Sequence, residues 1–94
     1  MFWVYILYSK TAGRHYTGYS IDPDERLKEH NEGYCKGSYS SAVRDWELRF
    51  MLKCQSKKQA LQIERHIKRM KSRVYIQNLI KYPEMGEKLL IKYK

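Results

Sequence analysis

Ten residues separate Tyr5, which closes Trp3-Val4-Tyr5, from Tyr16, which opens Tyr16-Thr17-Gly18. Arg26 stands ten positions after Tyr16, His30 four beyond it, and Glu64 sits further on in Ala60-Leu61-Gln62-Ile63-Glu64-Arg65-His66. Phenol, guanidinium, imidazole and carboxylate together suit work on a phosphate ester. A tyrosine alone is a poor base, since with a pKa near 10 only about one in a thousand is ionised at pH 7. One unit charge about 4 Å away, at an effective dielectric of about 20, supplies the roughly 4 kcal/mol needed to change that. Arg26, or a cation held by Glu64, could therefore make either phenol a usable base. Burial without a cation would push it the other way.

Each residue also has a plainer reading. Both tyrosines suit strand packing, and Gly18 either marks a bulge or bares the backbone for a phosphate to approach. Arg26 and His30 share a helix face, as solvated surface or as a phosphate clamp with a proton carrier beside it. Glu64 falls inside the apolar arc of Ala60, Leu61, Ile63, Ile67 and Met70. A carboxylate there is costly unless paired, either with Lys68 one turn later or with a divalent cation.

These residues need elements to position them. Residues 2–8 lack polar alternation and read as a strand buried on both faces. A turn around Thr11-Ala12 returns the chain through residues 14–20. In that register Tyr5 opposes Gly18, Tyr16 opposes Leu7, and both phenols lie on one side of the ribbon. Asp22-Pro23-Asp24-Glu25 reads as a capped helix start, with Leu27 facing the core, an end near residue 31 and a stop at Gly33. Residues 32–44, rich in Gly, Ser and Tyr, read as a loop. Residues 46–54 alternate as a third strand, and residues 56–59 open a capped helix running to about residue 71. Ser72 caps a further helix over residues 74–81, which Pro83 ends, leaving residues 82–94 as a tail. The expected fold is α+β: a small, mostly antiparallel three-stranded sheet flanked by about three helices, in the order β-β-α-β-α-α.

Bulk composition narrows the partners. Nineteen Lys/Arg against ten Asp/Glu leave a formal +9 on a 94-residue chain, which suits one small domain over residues 1–94. That charge favours a polyanion, with nucleic acid first. A ribosome-associated protein would share the charge but leave the five-residue constellation unexplained. Cys35 and Cys54 have no zinc-site spacing and read as free thiols. The opening apolar run is far short of the about 20 residues a membrane helix needs and lacks the marks of a signal peptide, so a cytoplasmic location without membrane attachment is expected.

The ordered set resembles the GIY-YIG nuclease superfamily, which includes homing endonucleases and the incision subunit of bacterial excision repair. Trp3-Val4-Tyr5 matches the first namesake triplet, with Trp3 and Val4 replacing glycine and isoleucine, and Tyr16-Thr17-Gly18 matches the second. Arg26 and His30 match the helix motif, and Glu64 matches the metal-binding glutamate. The match covers about residues 2–81 and fits the small stand-alone branch. Where some members carry a lysine after the second triplet, this chain has Tyr19 and Ser20.

The resemblance implies a DNA endonuclease, in repair or recombination, using one Mg²⁺ or Mn²⁺ on Glu64 and no small-molecule cofactor. Tyr5, Tyr16, Arg26 and His30 would be catalytic, Gly18 would admit the phosphate, and Asn78 and Lys68 would be accessory. The alternative is a basic nucleic-acid-binding module of the same fold with little or no cleavage.

Overall fold

The computed structural model describes residues 1–32 and 44–94. The expected stop at Gly33, Cys35 and most of the expected loop lie outside them. Three strands, β1 (Phe2–Ser9), β2 (Arg14–Ser20) and β3 (Trp46–Cys54), form one sheet in the order β2-β1-β3, with both pairings antiparallel. Four helices are described: α1 (Pro23–Glu32), α2 (Lys57–Met70), α3 (Arg73–Lys81) and α4 (Pro83–Lys92). The α+β class stands, as does the strand and helix order through α3. The tail is corrected to a fourth helix. Pro83 ends α3 and also occupies the first turn of α4, where its fixed φ and missing N–H cost nothing.

The first hairpin takes the anticipated register, with Tyr5 opposite Gly18 and Leu7 opposite Tyr16. Its turn closes where the Gly13 N–H donates to the Ser9 carbonyl at 2.8 Å, with Gly13 at φ +62°. Side-chain caps start three of the four described helices, α1, α2 and α3. Asp22 Oδ1 accepts from the Glu25 N–H, Ser56 Oγ from Gln59 N–H and Ser72 Oγ from Tyr75 N–H. Lys71, in the left-handed conformation at φ 48°, turns the chain from α2 into α3.

Central β1 is covered on both faces. Val4 and Ile6 join Cys54, Ala60, Ile63, Ile67, Leu79 and Leu89 in the core beneath α2, α3 and α4. Tyr5 and Leu7 join Trp46 in a second cluster, flanked by Tyr16, Leu27 and Leu48. Strand β3 serves both cores because its register slips between Ile6 and Leu7, leaving Arg49 as an extra residue. Phe50 and Leu52 therefore pack on the first cluster, whereas Leu48 and Trp46, of the same sequence parity, pack on the second. A one-residue bulge is the device that reverses a strand's faces.

One expectation about helix faces changes: Met70 is 45% exposed and lies outside the core stripe of α2, which ends at Ile67. On α1 Leu27 faces the second core as expected, half-buried, and His30 is fully buried as well. Helix α4 belongs to the core: Leu89 is buried there, and a Cβ on Gly86 would stand 3.2 Å from Leu52 Cδ1. Gln59 ties α2 to α4 by donating to the Leu90 carbonyl at 3.1 Å. No described helix is long and apolar enough to cross a membrane.

Candidate active site

Tyr16 is where the candidate residues converge. It projects from β2, an edge strand, so side chains from either layer can reach it without crossing the sheet. Its ring lies 6.4 Å from that of Tyr5, 4.7 Å from the His30 imidazole and 6.2 Å from Trp46, centroid to centroid. From α2, Lys68 Nζ sits 5.8 Å from the same ring, within reach of a cation–π contact. The ammonium is also 3.5 Å from Glu64 Oε1, so a short chain of contacts links carboxylate, ammonium and phenol.

Tyr5 is 1% exposed, and its phenol spans β2 toward Gly18. A Cβ at Gly18 would meet Tyr5 Oη at 2.6 Å and Tyr16 Cε1 at 3.2 Å. The space freed by the glycine is therefore filled by the Tyr5 phenol itself. Gly18 sets where that hydroxyl stands.

His30 packs against Tyr16 from the buried side of α1. Burial, and then the nearby Arg26 guanidinium, hold its imidazole below the ordinary histidine pKa, although Glu29 opposes this. The ring is consequently neutral at pH 7. One turn earlier, Arg26 donates to Glu29 Oε2 at 2.9 Å at the half-exposed edge of the helix. Arg26 thus reaches the constellation through the field it exerts on His30.

The Glu64 side chain is only 12% exposed, while Lys68 is 52% exposed. The ion pair allowed by their spacing is formed, and through Lys68 it links the carboxylate to the Tyr16 ring. Among the described residues no cluster of three or more His, Cys, Asp or Glu could hold a metal ion. A lone carboxylate fits Mg²⁺ or Mn²⁺, which takes one or two carboxylates and completes its shell with water and phosphate oxygens. It does not fit structural zinc. Asn78 is half-buried on α3; its carbonyl accepts the Tyr82 N–H, and no described contact joins its side chain to Tyr5, Tyr16 or Glu64.

Two positioning residues escape a reading of the sequence. Asn31 accepts the Trp46 N–H at 2.7 Å and donates to the Trp46 carbonyl at 3.0 Å, docking the end of α1 onto the start of β3. Asp45 accepts from the Ser9 hydroxyl and, at 3.0 and 2.9 Å, from the backbone and hydroxyl of Thr11, pinning the hairpin turn. Those bonds, the Ser9 one foremost, hold its carboxyl below the usual carboxylate range. Both partners are distant in sequence, so local pattern carries no signal of them. Cys54 is a free thiol buried in the first core, and burial pushes its pKa up.

A family model described as the GIY-YIG catalytic domain matches residues 1–78. The matched span takes in every site residue discussed above. No curated protein and no solved structure matches the chain.

Proposed function

Because the chain belongs to the GIY-YIG family, a nuclease-type family, we propose that it is a DNA endonuclease that hydrolyses phosphodiester bonds with the help of one divalent cation. The observation that carries this reading is the convergence on Tyr16 of Tyr5, His30 and the Lys68–Glu64 pair. Structural packing alone would not require an ammonium, itself paired with a carboxylate, over the Tyr16 ring at the edge of a sheet.

Glu64 would hold the cation, and a bound Mg²⁺ or Mn²⁺ supplies Lewis-acid stabilisation of phosphate oxygens. Tyr5 as its phenolate, directly or through a water shared with Tyr16, would take a proton from the attacking water. The water oxygen forms a bond to phosphorus as the bond to the leaving sugar oxygen breaks; that oxygen takes a proton from solvent water, and the Tyr5 phenol later returns its proton to solvent. Arg26, half-exposed at the helix edge, would turn its guanidinium from Glu29 toward the negative charge that gathers on phosphate. Fully buried His30 acts through Tyr16: a neutral imidazole against the ring fixes where that phenol points. Gly18 fixes the Tyr5 hydroxyl by leaving room for it.

The test is cleavage of single-stranded, duplex, flapped and branched DNA with Mg²⁺ or Mn²⁺, run beside Glu64→Ala and Tyr5→Phe. Nicking by the native chain that disappears in both variants, while DNA binding survives, supports the reading. The formal +9 favours one rival, a nucleic-acid-binding module of the same fold. Salt-sensitive binding with no cutting of any substrate in either metal would establish that instead.

A further inference from the structure

A cleft of about 480 Å³ opens beside Tyr16, between β2 and the junction of α2 with α3. Its walls carry Arg14, Lys68, Lys71 and Arg73, and none of the described residues lining it is acidic. His15 and Arg73 also line a second hollow, of about 260 Å³, which continues to Arg49, the partner of Glu47; among the described residues its lining has no acidic side chain. Burial first, then the guanidiniums of Arg73 and Arg49, hold the His15 imidazole below its ordinary pKa. Arg73 is set in place by its bond to the Gly13 carbonyl at 2.9 Å, and Lys71 by the left-handed backbone between the two helices.

We propose that this cleft is a subsite for the sugar-phosphate backbone of the DNA strand flanking the bond to be cut. The strand would pass from Tyr16 and Lys68 along Arg14, Lys71 and Arg73 toward Arg49. The proposal rests on the nuclease reading for the identity of the strand. Lys68, the partner of Glu64, belongs to both regions, so a strand at Tyr16 continues directly into the cleft; Arg49, at the far end, is shared with Glu47 at 3.0 Å. Contacts of this kind are to phosphate, so they set affinity and register and leave base sequence unread.

The test is fluorescence anisotropy with a short labelled duplex and with its single strand, in EDTA, over about 50 to 200 mM salt. EDTA separates binding from any cutting. The cleft variant is Arg14→Ala/Lys71→Gly/Arg73→Ala, and the charge-matched control is Lys57→Ala/Lys58→Ala/Lys88→Ala, at exposed positions elsewhere. The cleft variant is expected to bind about tenfold or more weakly, with a log K against log salt slope lower by about 2 to 3. The control should lose far less. Arg73→Ala removes a bond to the hairpin turn, so Arg14→Ala/Lys71→Gly repeats the test with that bond kept. Glycine suits the left-handed backbone at position 71. Equal losses in cleft and control variants, or unchanged binding in the cleft variants, overturn the subsite. A native chain that binds through the cleft and cuts nothing supports the subsite and overturns the nuclease reading alone.

Discussion

The Tyr5 hydroxyl occupies the place where a side chain at Gly18 would begin, 2.6 Å from the position of its Cβ. Tyr5 is 1% exposed and cannot swing aside cheaply. Gly18→Ala should therefore cost about 1–3 kcal/mol through overpacking. Removing the hydroxyl by Tyr5→Phe should relieve part of that cost, so the double variant will be more stable than the two single losses predict. Urea unfolding of the four proteins measures the coupling. Strictly additive losses would refute the contact.

Lys68 holds the carboxylate that a divalent cation would need. The pair is mostly exposed on the lysine side, so Lys68→Met should change stability by no more than about 1 kcal/mol. It should nonetheless tighten Mn²⁺ binding several-fold, because the competing ammonium is gone. Glu64→Gln should abolish that binding and lower cleavage by at least about a hundredfold. Electron paramagnetic resonance of free Mn²⁺ reads the binding directly. Equal Mn²⁺ affinity in the native chain and Glu64→Gln would place the cation elsewhere.

His30 is held below its ordinary pKa when folded, so the folded chain binds fewer protons there than the unfolded chain. Its contribution to stability is complete above the unfolded value near 6.5 and is lost as pH falls from there toward the folded value. His15 and His66 shift in the same direction, burial being the first cause in each. Melting temperature should therefore fall between about pH 7.5 and 5.5, and less steeply in His30→Gln than in the native chain. An unaltered slope in that variant would mean that His30 does not resist protonation.

Asp45 governs a more acid window. Its folded pKa is lowered by the hydrogen bond from Ser9 and then by those from Thr11, so its contribution stands above the unfolded value near 4 and is lost as pH falls further. Asp45→Asn should weaken the native chain at neutral pH and flatten the loss below about pH 4. Circular dichroism melts at a series of acid pH values check this. Parallel curves for the two proteins would contradict it.

Asn31 makes two backbone bonds to Trp46, and Trp46 touches both Tyr16 and His30. Asn31→Ala should cost about 2–3 kcal/mol, since two hydrogen bonds are lost where β3 begins. It should also loosen Trp46, so the tryptophan emission of this variant is expected to move to the red in the folded state. Unchanged stability and emission would show that α1 docks by packing alone.

Much of this architecture is local and was open to sequence reasoning. The hairpin register followed from the turn between the strands and from apolar runs of the right length. Asp22, Ser56 and Ser72 cap helices because their side-chain oxygens meet the N–H three residues on. The order of Tyr5, Tyr16, Arg26, His30 and Glu64 pointed to the family, and the family match confirms that membership. Helix α4 was missed because Pro83 reads equally as an end and a beginning, and because Gly86 lowers helix propensity while fitting against Leu52.

Composition and spacing alone determined the strands, the caps and the list of groups able to handle a phosphate. Tertiary structure decided that β2 lies at the edge of the sheet, that Arg49 bulges so Trp46 faces the tyrosines, and that His30 is fully buried against Tyr16. Those outcomes depend on contacts between residues far apart in the chain. A periodic pattern fixes which side chains share a face, but only the packing of one layer on another fixes what that face meets.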